Sequence, residues 1–105
     1  MKLWIDDVRP APPGEYLWFK NINEALRFIR ANAAEIELID FDHDAGDFRR
    51  GGCEDYIVIL QEMQRLSKVH KISFSHIKFR LHSANPVGVQ NMRYILQDNG
   101  WKEIY

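Results

Sequence analysis

Side chains that bind metal ions or exchange protons fall into three short clusters of this sequence, and each cluster directly follows an apolar run. The clusters are Asp6-Asp7 with Arg9, Asp42-His43-Asp44, and His82-Ser83 with Asn85. Carboxylate oxygens are preferred ligands of Mg²⁺, Mn²⁺ and Ca²⁺, and the imidazole of histidine titrates near neutral pH. If the fold brings the clusters together, the chain can hold a divalent cation beside acid–base groups.

Each cluster also has a simpler structural interpretation. Asp6 and Asp7 could cap a turn through their side-chain oxygens. Asp42 and Asp44 could solubilise a loop, although like charges this close repel each other unless a cation or a proton offsets them. Arg9 could form a salt bridge to Asp7 or Asp44 instead of binding an anion. A single histidine is more often structural, whereas two histidines after neighbouring strands favour a functional pocket.

The apolar runs before the clusters predict strands, and the periodic segments between them predict helices. Strands are predicted at 3–5, 16–19, 36–41 and 77–81, with a short last one within 101–105. Helices are predicted from a cap at Asn21 or Asn23 to about Asn32, then over 55–66 and 86–99, with Gly100 following the last one. Strands that alternate with helices predict a mostly parallel sheet with right-handed crossovers.

The connection between the first two strands is too short for a parallel crossover. Only eight residues separate Asp7 from Tyr16, whereas such a crossover normally needs a dozen or more. Three of the four prolines fall in 9–14, and proline is excluded from helix interiors. We therefore expect the first helix to be reduced or lost. The carboxyl ends of parallel strands bind ligands, so the three polar clusters are expected to form one pocket.

The composition is that of one folded domain with little net charge. The chain has 105 residues, 46% of them hydrophobic, and a net charge of −1, which predicts one domain over 1–105. This charge gives no long-range electrostatic attraction to nucleic acid or to an anionic membrane. A single cysteine, Cys53, excludes an internal disulfide. No apolar run reaches about 18 residues, and we expect no membrane association and a cytoplasmic location.

Three motifs, in the same order along the chain, resemble the cyclic-phosphate-processing receiver domain family, which is similar to response-regulator receiver domains. They are MKLWIDDVRP at 1–10, DHDAG at 42–46, and HSANPVG at 82–88 followed by Asn91-Met92. The resemblance covers nearly the whole chain. It implies a receiver-like (flavodoxin-like) three-layer α/β fold with a mostly parallel sheet of four or five strands.

The receiver pattern carries over to this chain only in part. It implies that Asp6, Asp7 and Asp42 bind a divalent cation, Mg²⁺ or Mn²⁺, and that Ser83 matches the hydroxyl residue after the fourth strand. In receivers the aspartate after the third strand accepts a phosphoryl group. The receiver lysine after a fifth strand has no match, because Lys102 falls at the start of the predicted last strand.

The family resemblance implies a metal-assisted reaction on a cyclic phosphate, either a cyclic nucleotide or the 2′,3′-cyclic end of RNA. The catalytic residues expected for it are His43, His82, Asp44 and Ser83, and the substrate-binding residues are Arg9 and Asn85. The two histidines would exchange protons, and the guanidinium would hold phosphate oxygens. Two alternatives stay open, a phospho-accepting signalling receiver and a non-enzymatic module that binds nucleotides or proteins.

Overall fold

The computed structural model describes residues 1–42, 56–82 and 86–105. Strands and helices follow one another along the chain as β1 (Lys2–Ile5), β2 (Tyr16–Phe19), α1 (Ile22–Asn32), β3 (Leu38–Phe41), α2 (Ile57–Val69), β4 (Lys78–Leu81), α3 (Pro86–Asp98) and β5 (Lys102–Glu103). A single 3₁₀ turn, Ala33–Glu35, follows α1. Within these ranges no helix is both long enough and apolar enough to cross a bilayer.

The strands form one five-stranded sheet in the order β2-β1-β3-β4-β5. Every neighbouring pair is parallel, as the alternation of strands and helices predicts. The connection from β1 to β2, residues 6–15, contains no helix, which confirms that the first helix is lost. The chain therefore has the α/β fold of receiver (flavodoxin-like) type with five strands.

The three helices lie together on one face of the sheet. From β2 through β3 and β4 to β5 the chain steps in one direction across the sheet, and right-handed crossovers then place successive helices on the same face. One hydrophobic cluster accordingly joins the inward residues of the strands, such as Leu3, Ile39 and Phe79, to buried residues of all three helices. The expected third layer is missing from the described residues. The connection from β1 to β2 runs across the sheet in the opposite direction, so its helix would lie on the other face, and that helix is lost.

Trp4 lies on the face of the sheet opposite the helices, yet only 7% of it is exposed. Its indole Nε1 donates a hydrogen bond to the backbone oxygen of Arg9, 2.8 Å away. The ring of Tyr16 packs edge-on against it, with centroids 5.9 Å apart. The proline-containing connection after β1 thus covers part of a surface that a helix would otherwise occupy, and it brings Arg9 to the carboxyl end of the sheet.

Two helix ends show how local chemistry sets the boundaries. α2 extends to Val69, three residues beyond the predicted end at Leu66, because Ser67-Lys68-Val69 contains no helix breaker. The helix stops where Lys71 adopts a positive φ of 58°. α3 ends at Asp98, one residue before the predicted end at Asn99. Gly100 follows it with a φ of 69°, so that its N–H bonds to Gln97 and that of the next residue bonds to the helix.

Asn21, rather than Asn23, caps α1. Its side-chain oxygen accepts a hydrogen bond from the backbone N–H of Glu24 at 3.1 Å, which satisfies one of the donors left free at a helix start. Asn21→Ala should therefore lower the free energy of unfolding by about 1 kcal/mol. Asn23→Ala is the matched control and should change it by less than about 0.5 kcal/mol. Urea denaturation measures both, and equal losses would contradict the assignment of the cap.

Candidate functional site

Three carboxylates meet at the carboxyl ends of β1 and β3. The backbone fixes two of them, because the N–H of Asp6 donates to Phe19 on β2 at 3.1 Å and that of Asp42 donates to Ile5 on β1 at 2.8 Å. One carboxylate oxygen from each of Asp6, Asp7 and Asp42 lies within 4.8 Å of the other two. We call these three residues the acidic cluster. The structure thus brings together the residues that the sequence predicts as metal ligands.

The acidic cluster fits a hard divalent cation. Bonds of roughly 2.0–2.6 Å from one ion to two oxygens on opposite sides place those oxygens about 4–5 Å apart, and the observed limit of 4.8 Å lies in this range. The donor set is all oxygen, as Mg²⁺ and Mn²⁺ prefer. Asp6 is buried, while Asp7 and Asp42 are partly exposed. An ion bound here would therefore be reachable from solvent.

Asp6 also organises the turn that follows β1. Its Oδ1 accepts hydrogen bonds from the backbone N–H groups of Val8, at 2.8 Å, and Arg9, at 2.9 Å. The turn-capping interpretation is therefore confirmed for Asp6, and it does not exclude the metal-binding one. Burial opposes ionisation of Asp6, but the two backbone hydrogen bonds and one from His82 outweigh it and lower the pKa of this carboxyl. Asp6 is held as an anion.

His82, after β4, bridges two buried carboxylates. Its Nε2 lies 2.9 Å from Oδ2 of Asp6, and its Nδ1 lies 2.5 Å from Oδ1 of Asp40. Both carboxylates are fully buried. A carboxylate can only accept hydrogen bonds, so both ring nitrogens must carry protons for the two bonds to form. The contacts therefore select the positively charged imidazolium, and we call Asp6, His82 and Asp40 the His82 bridge.

The surroundings of His82 support the same charge state. Burial alone would lower the pKa of its imidazole, but the hydrogen bonds and charges of Asp40 and Asp6 outweigh it and raise the pKa. The indole of Trp4 stacks on the imidazole, with centroids 3.9 Å apart and planes 5° from parallel. A cation over an aromatic face is favourable. The guanidinium of Arg80 lies 3.8 Å from the second oxygen of Asp40, so that carboxylate faces positive charge on both sides.

Arg9 reaches across the carboxyl end of the sheet to β4. Its Nη1 donates a hydrogen bond to the backbone oxygen of His82 at 3.1 Å, and the residue is exposed. The guanidinium has further N–H donors available to an anion. The short, proline-containing connection thus places a basic group beside the acidic cluster, as predicted. Whether it binds an anion stays a prediction.

Tyr56, just before α2, lies close to the acidic cluster and is fully buried. Its hydroxyl donates a hydrogen bond to the backbone oxygen of Lys20 at 2.6 Å. Burial raises the pKa of this phenol, and the negative charges of Asp7, Asp6 and Asp42 raise it further. The tyrosine therefore stays neutral and links the site to the segment between β2 and α1.

Two residues of the site, Asp40 and Trp4, were not predicted from the sequence. The apolar run at 36–41 predicts a strand, although Asp40 stands inside it. A charged residue in a strand expected to be buried requires a partner, and this requirement was the signal that could have found it. Trp4 gave no such signal, because an aromatic residue inside a strand normally belongs to the core.

Four of the predicted site residues cannot be placed. His43 and Asp44 lie in 43–55, and Ser83 and Asn85 lie in 83–85, both outside the described residues. Their assignment as catalytic or substrate-binding residues stays a prediction. The described residues directly before these segments are Asp42 and His82, which both belong to the candidate site.

Comparison with known families gives one match. The model of the cyclic-phosphate processing receiver domain family matches residues 1–98, nearly the whole chain. No curated protein and no solved structure is significantly similar to it. The matched range contains the acidic cluster, the His82 bridge, Arg9, Trp4 and Tyr56. On the fold, the acidic cluster and this match, the chain belongs to the cyclic-phosphate processing receiver domain family.

Proposed function

We propose that this protein is a metal-assisted phosphoesterase that opens a cyclic phosphate, either a cyclic nucleotide or the 2′,3′-cyclic end of RNA. The observation that carries the proposal is the acidic cluster, which lies within contact of a partly buried imidazole and beside an exposed guanidinium. This set combines a cation site, a proton donor and a phosphate-binding group. The name of the family supports a cyclic phosphate as the substrate.

The proposed reaction adds water across one ester bond of the ring. The water oxygen bonds to phosphorus, the phosphorus–oxygen bond to the leaving oxygen breaks, and that oxygen takes up a proton to give a phosphomonoester. Asp6, Asp7 and Asp42 would hold Mg²⁺ or Mn²⁺, which when bound supplies positive charge to the phosphoryl oxygens and lowers the pKa of water. Arg9 would hold a phosphoryl oxygen through its remaining donors.

The His82 bridge defines what this histidine can contribute. Its Nε2 proton is donated to Asp6 at 2.9 Å, so giving that proton to a leaving oxygen requires the substrate to replace Asp6 as acceptor. While the bridge is intact, His82 orients the carboxylate of Asp6 within the acidic cluster, as residues behind a metal ligand commonly do. The proposed second proton-transfer group is His43, with Asp44, Ser83 and Asn85 as further members of the site.

A turnover assay on a panel of cyclic phosphates tests the proposal. The panel contains 2′,3′-cyclic mononucleotides, 3′,5′-cyclic mononucleotides and an oligoribonucleotide ending in a 2′,3′-cyclic phosphate, each with Mg²⁺, with Mn²⁺ and with a chelator. Phosphorus NMR identifies a phosphomonoester product. We expect metal-dependent opening of at least one class. A folded protein that opens none of them with either metal would contradict the proposal and favour a binding module.

Arg9→Lys should weaken binding of the cyclic phosphate roughly ten- to a hundredfold while the fold stays stable. Lysine keeps the charge but loses the planar fork of donors, and one charge-assisted hydrogen bond is worth about 1.5–3 kcal/mol. The dissociation constant of the cyclic phosphate is measured by isothermal titration calorimetry with the substrate or a slowly reacting analogue. Arg27→Lys, at an exposed position of α1, is the control. Unchanged affinity in Arg9→Lys would remove Arg9 from the substrate site.

A further inference from the structure

In the described residues, one face of the sheet is covered by no helix. This face carries a row of basic side chains. Across β1, β3, β4 and β5 the register places Lys2, Leu38, Lys78 and Lys102 side by side. Arg80 follows Lys78 on the same side of β4, because side chains alternate along a strand. We call Lys2, Lys78, Arg80 and Lys102 the basic sheet face. All but Lys2 are exposed, and Lys2 is partly exposed.

Nearby acidic residues neutralise this row only in part. Glu37 pairs only loosely with Lys2, at 4.0 Å. Glu103 is in register with Phe79, which points toward the helices. Asp40 lies 3.8 Å from Arg80, but it is fully buried and is shared with His82, and the described residues give no acidic partner to Lys78 or Lys102. The basic sheet face is therefore locally positive although the whole chain carries a net charge of −1.

Aromatic rings continue the same face at its β2 edge. Tyr16 and Trp18 are in register with Lys2 and Trp4 of β1, so their side chains lie on the face opposite the helices. Trp18 is 40% exposed, and Tyr16 is partly exposed. Sheet surfaces that combine exposed aromatic rings with basic residues bind single-stranded nucleic acids, because bases stack on the rings and phosphates contact the charges.

The basic row leads to the acidic cluster. Lys78, Arg80 and His82 follow each other at every second position of β4 and beyond, so neighbouring ones are roughly 6.6 Å apart along one side. His82 contacts Asp6 of the acidic cluster. If an extended nucleic-acid strand runs alongside β4, its end would thus lie at the candidate site.

We propose that the basic sheet face binds the phosphate backbone of a single-stranded nucleic acid, with Tyr16 and Trp18 stacking on its bases. An all-parallel sheet is normally covered on both faces, and a polyanion is the cover that the charge of this face favours. The binding itself is independent of catalysis. Only the placement of the strand's end at the acidic cluster rests on the proposed function.

Fluorescence anisotropy with a labelled oligouridylate of about 12 nucleotides, ending in a 3′-hydroxyl, tests the proposal in the presence of a chelator. Lys78→Glu/Lys102→Glu should weaken binding at least about tenfold. It should also reduce the slope of log K against log salt by about 1.4, since each phosphate contact on a single strand contributes about 0.7. Thermal denaturation confirms that the variant is folded.

Arg27→Glu/Arg30→Glu is the matched control, because it changes the net charge equally. These two residues lie on α1, beside a groove of about 590 Å³ between α1 and α2. Binding should stay within about twofold of wild type at physiological salt, where charges more than about 8 Å away are screened. Equal losses in both variants would overturn the proposal, since they would show an effect of net charge alone.

Three other outcomes would also overturn it. Wild-type protein could fail to bind the oligonucleotide at low salt, or a duplex of the same length could bind as tightly as the single strand. The face could instead mediate self-association that Lys78→Glu/Lys102→Glu abolishes, with no binding of nucleic acid, which would assign it to protein contact. The assay contains neither a cyclic phosphate nor a metal ion, so its failure and the failure of the proposed phosphoesterase are separate results.

Discussion

An Asp42→Asn variant should lose divalent-cation binding and about 10³-fold or more of its cyclic-phosphate turnover, while it keeps its fold. A bound cation contributes several kcal/mol of charge stabilisation in the transition state, and each 1.36 kcal/mol corresponds to a factor of ten. The backbone N–H of Asp42 bonds to Ile5 whatever the side chain is. Removing one of three adjacent carboxylates also reduces the repulsion among them.

Thermal denaturation with and without Mg²⁺ separates this outcome from simple damage. Wild-type protein should be stabilised by Mg²⁺, by about 2.7 kcal/mol at a concentration one hundred times the dissociation constant. Asp42→Asn should gain almost nothing from Mg²⁺, and it should be at least as stable as wild type in chelator. The control is Asp98→Asn, the same chemical change at the end of α3. Equal stabilisation of all three proteins by Mg²⁺ would place the cation elsewhere.

The same variant distinguishes an enzyme from a signalling receiver. In the receiver alternative, acetyl phosphate would label wild-type protein on Asp42, the label would vanish in Asp42→Asn, and no cyclic phosphate would be opened. The sequence after β4 weighs against the signalling receiver, because β5 begins with Lys102 and Ile104 follows this strand where receivers have a lysine. Labelling of Asp42 without turnover would reverse that preference.

The fold was largely predictable because its signals are local. Each strand is a short apolar run bounded by polar residues, and α3 is bounded by Pro86 and Gly100, whose conformational preferences do not depend on the rest of the chain. The loss of the first helix followed from the length of one connection. The family resemblance implies three layers, whereas the described residues form two, because the number of layers depends on the direction of each crossover and therefore on the order of the strands.

The acidic cluster could be predicted for a topological reason. Asp6, Asp7 and Asp42 directly follow β1 and β3, and the carboxyl ends of neighbouring parallel strands meet at one edge of the sheet. The His82 bridge could not be predicted in the same way. Asp40 stands one residue before the end of the apolar run, and its contact with His82 crosses 42 positions of the chain. Such a pair depends on the register of β3 and β4, which a single sequence does not determine.

The sequence also led to one expectation that the structure changes. From acid–base chemistry alone, replacing His82 with alanine should decrease turnover by about 10²–10⁴-fold and leave the fold intact. The contacts show that the same substitution removes a shared partner from two fully buried carboxylates. A loss of turnover in that variant would therefore combine catalysis with folding, and stability has to be measured first.

His82→Ala should lower the free energy of unfolding of the metal-free protein by about 3–5 kcal/mol, the usual result when one partner of a buried charge pair is removed. Asp6 would keep its two backbone hydrogen bonds, whereas Asp40 would keep, among the described residues, only the more distant Arg80, at 3.8 Å. His70→Ala, which removes an exposed histidine, should cost less than about 0.5 kcal/mol. Urea denaturation in chelator measures both, and equal effects would contradict the bridge.

The contribution of the bridge should depend on pH in a defined direction. The pKa of His82 is raised above 6.5, so its stabilisation is complete below that value and is lost as pH rises through the higher pKa of the folded state. The pKa of Asp6 is lowered below 3.8, so its stabilisation is complete above that value and is lost as pH falls through the lower folded pKa. The difference between wild type and His82→Ala should therefore be largest between pH 3.8 and 6.5.

A double-mutant cycle keeps the prediction testable if His82→Ala does not fold, because Asp40→Asn and His82→Gln preserve volume and hydrogen-bonding capacity. Residues in direct contact show coupling energies of about 0.5–3 kcal/mol, whereas separated ones add within about 0.5 kcal/mol. We expect coupling of at least about 1.5 kcal/mol at pH 6, decreasing as the pH rises above the raised pKa of His82. Such a decrease requires a charged imidazole between two carboxylates. Coupling that stays constant with pH would mean that His82 is neutral, and additive effects would mean that it does not join Asp40 at all.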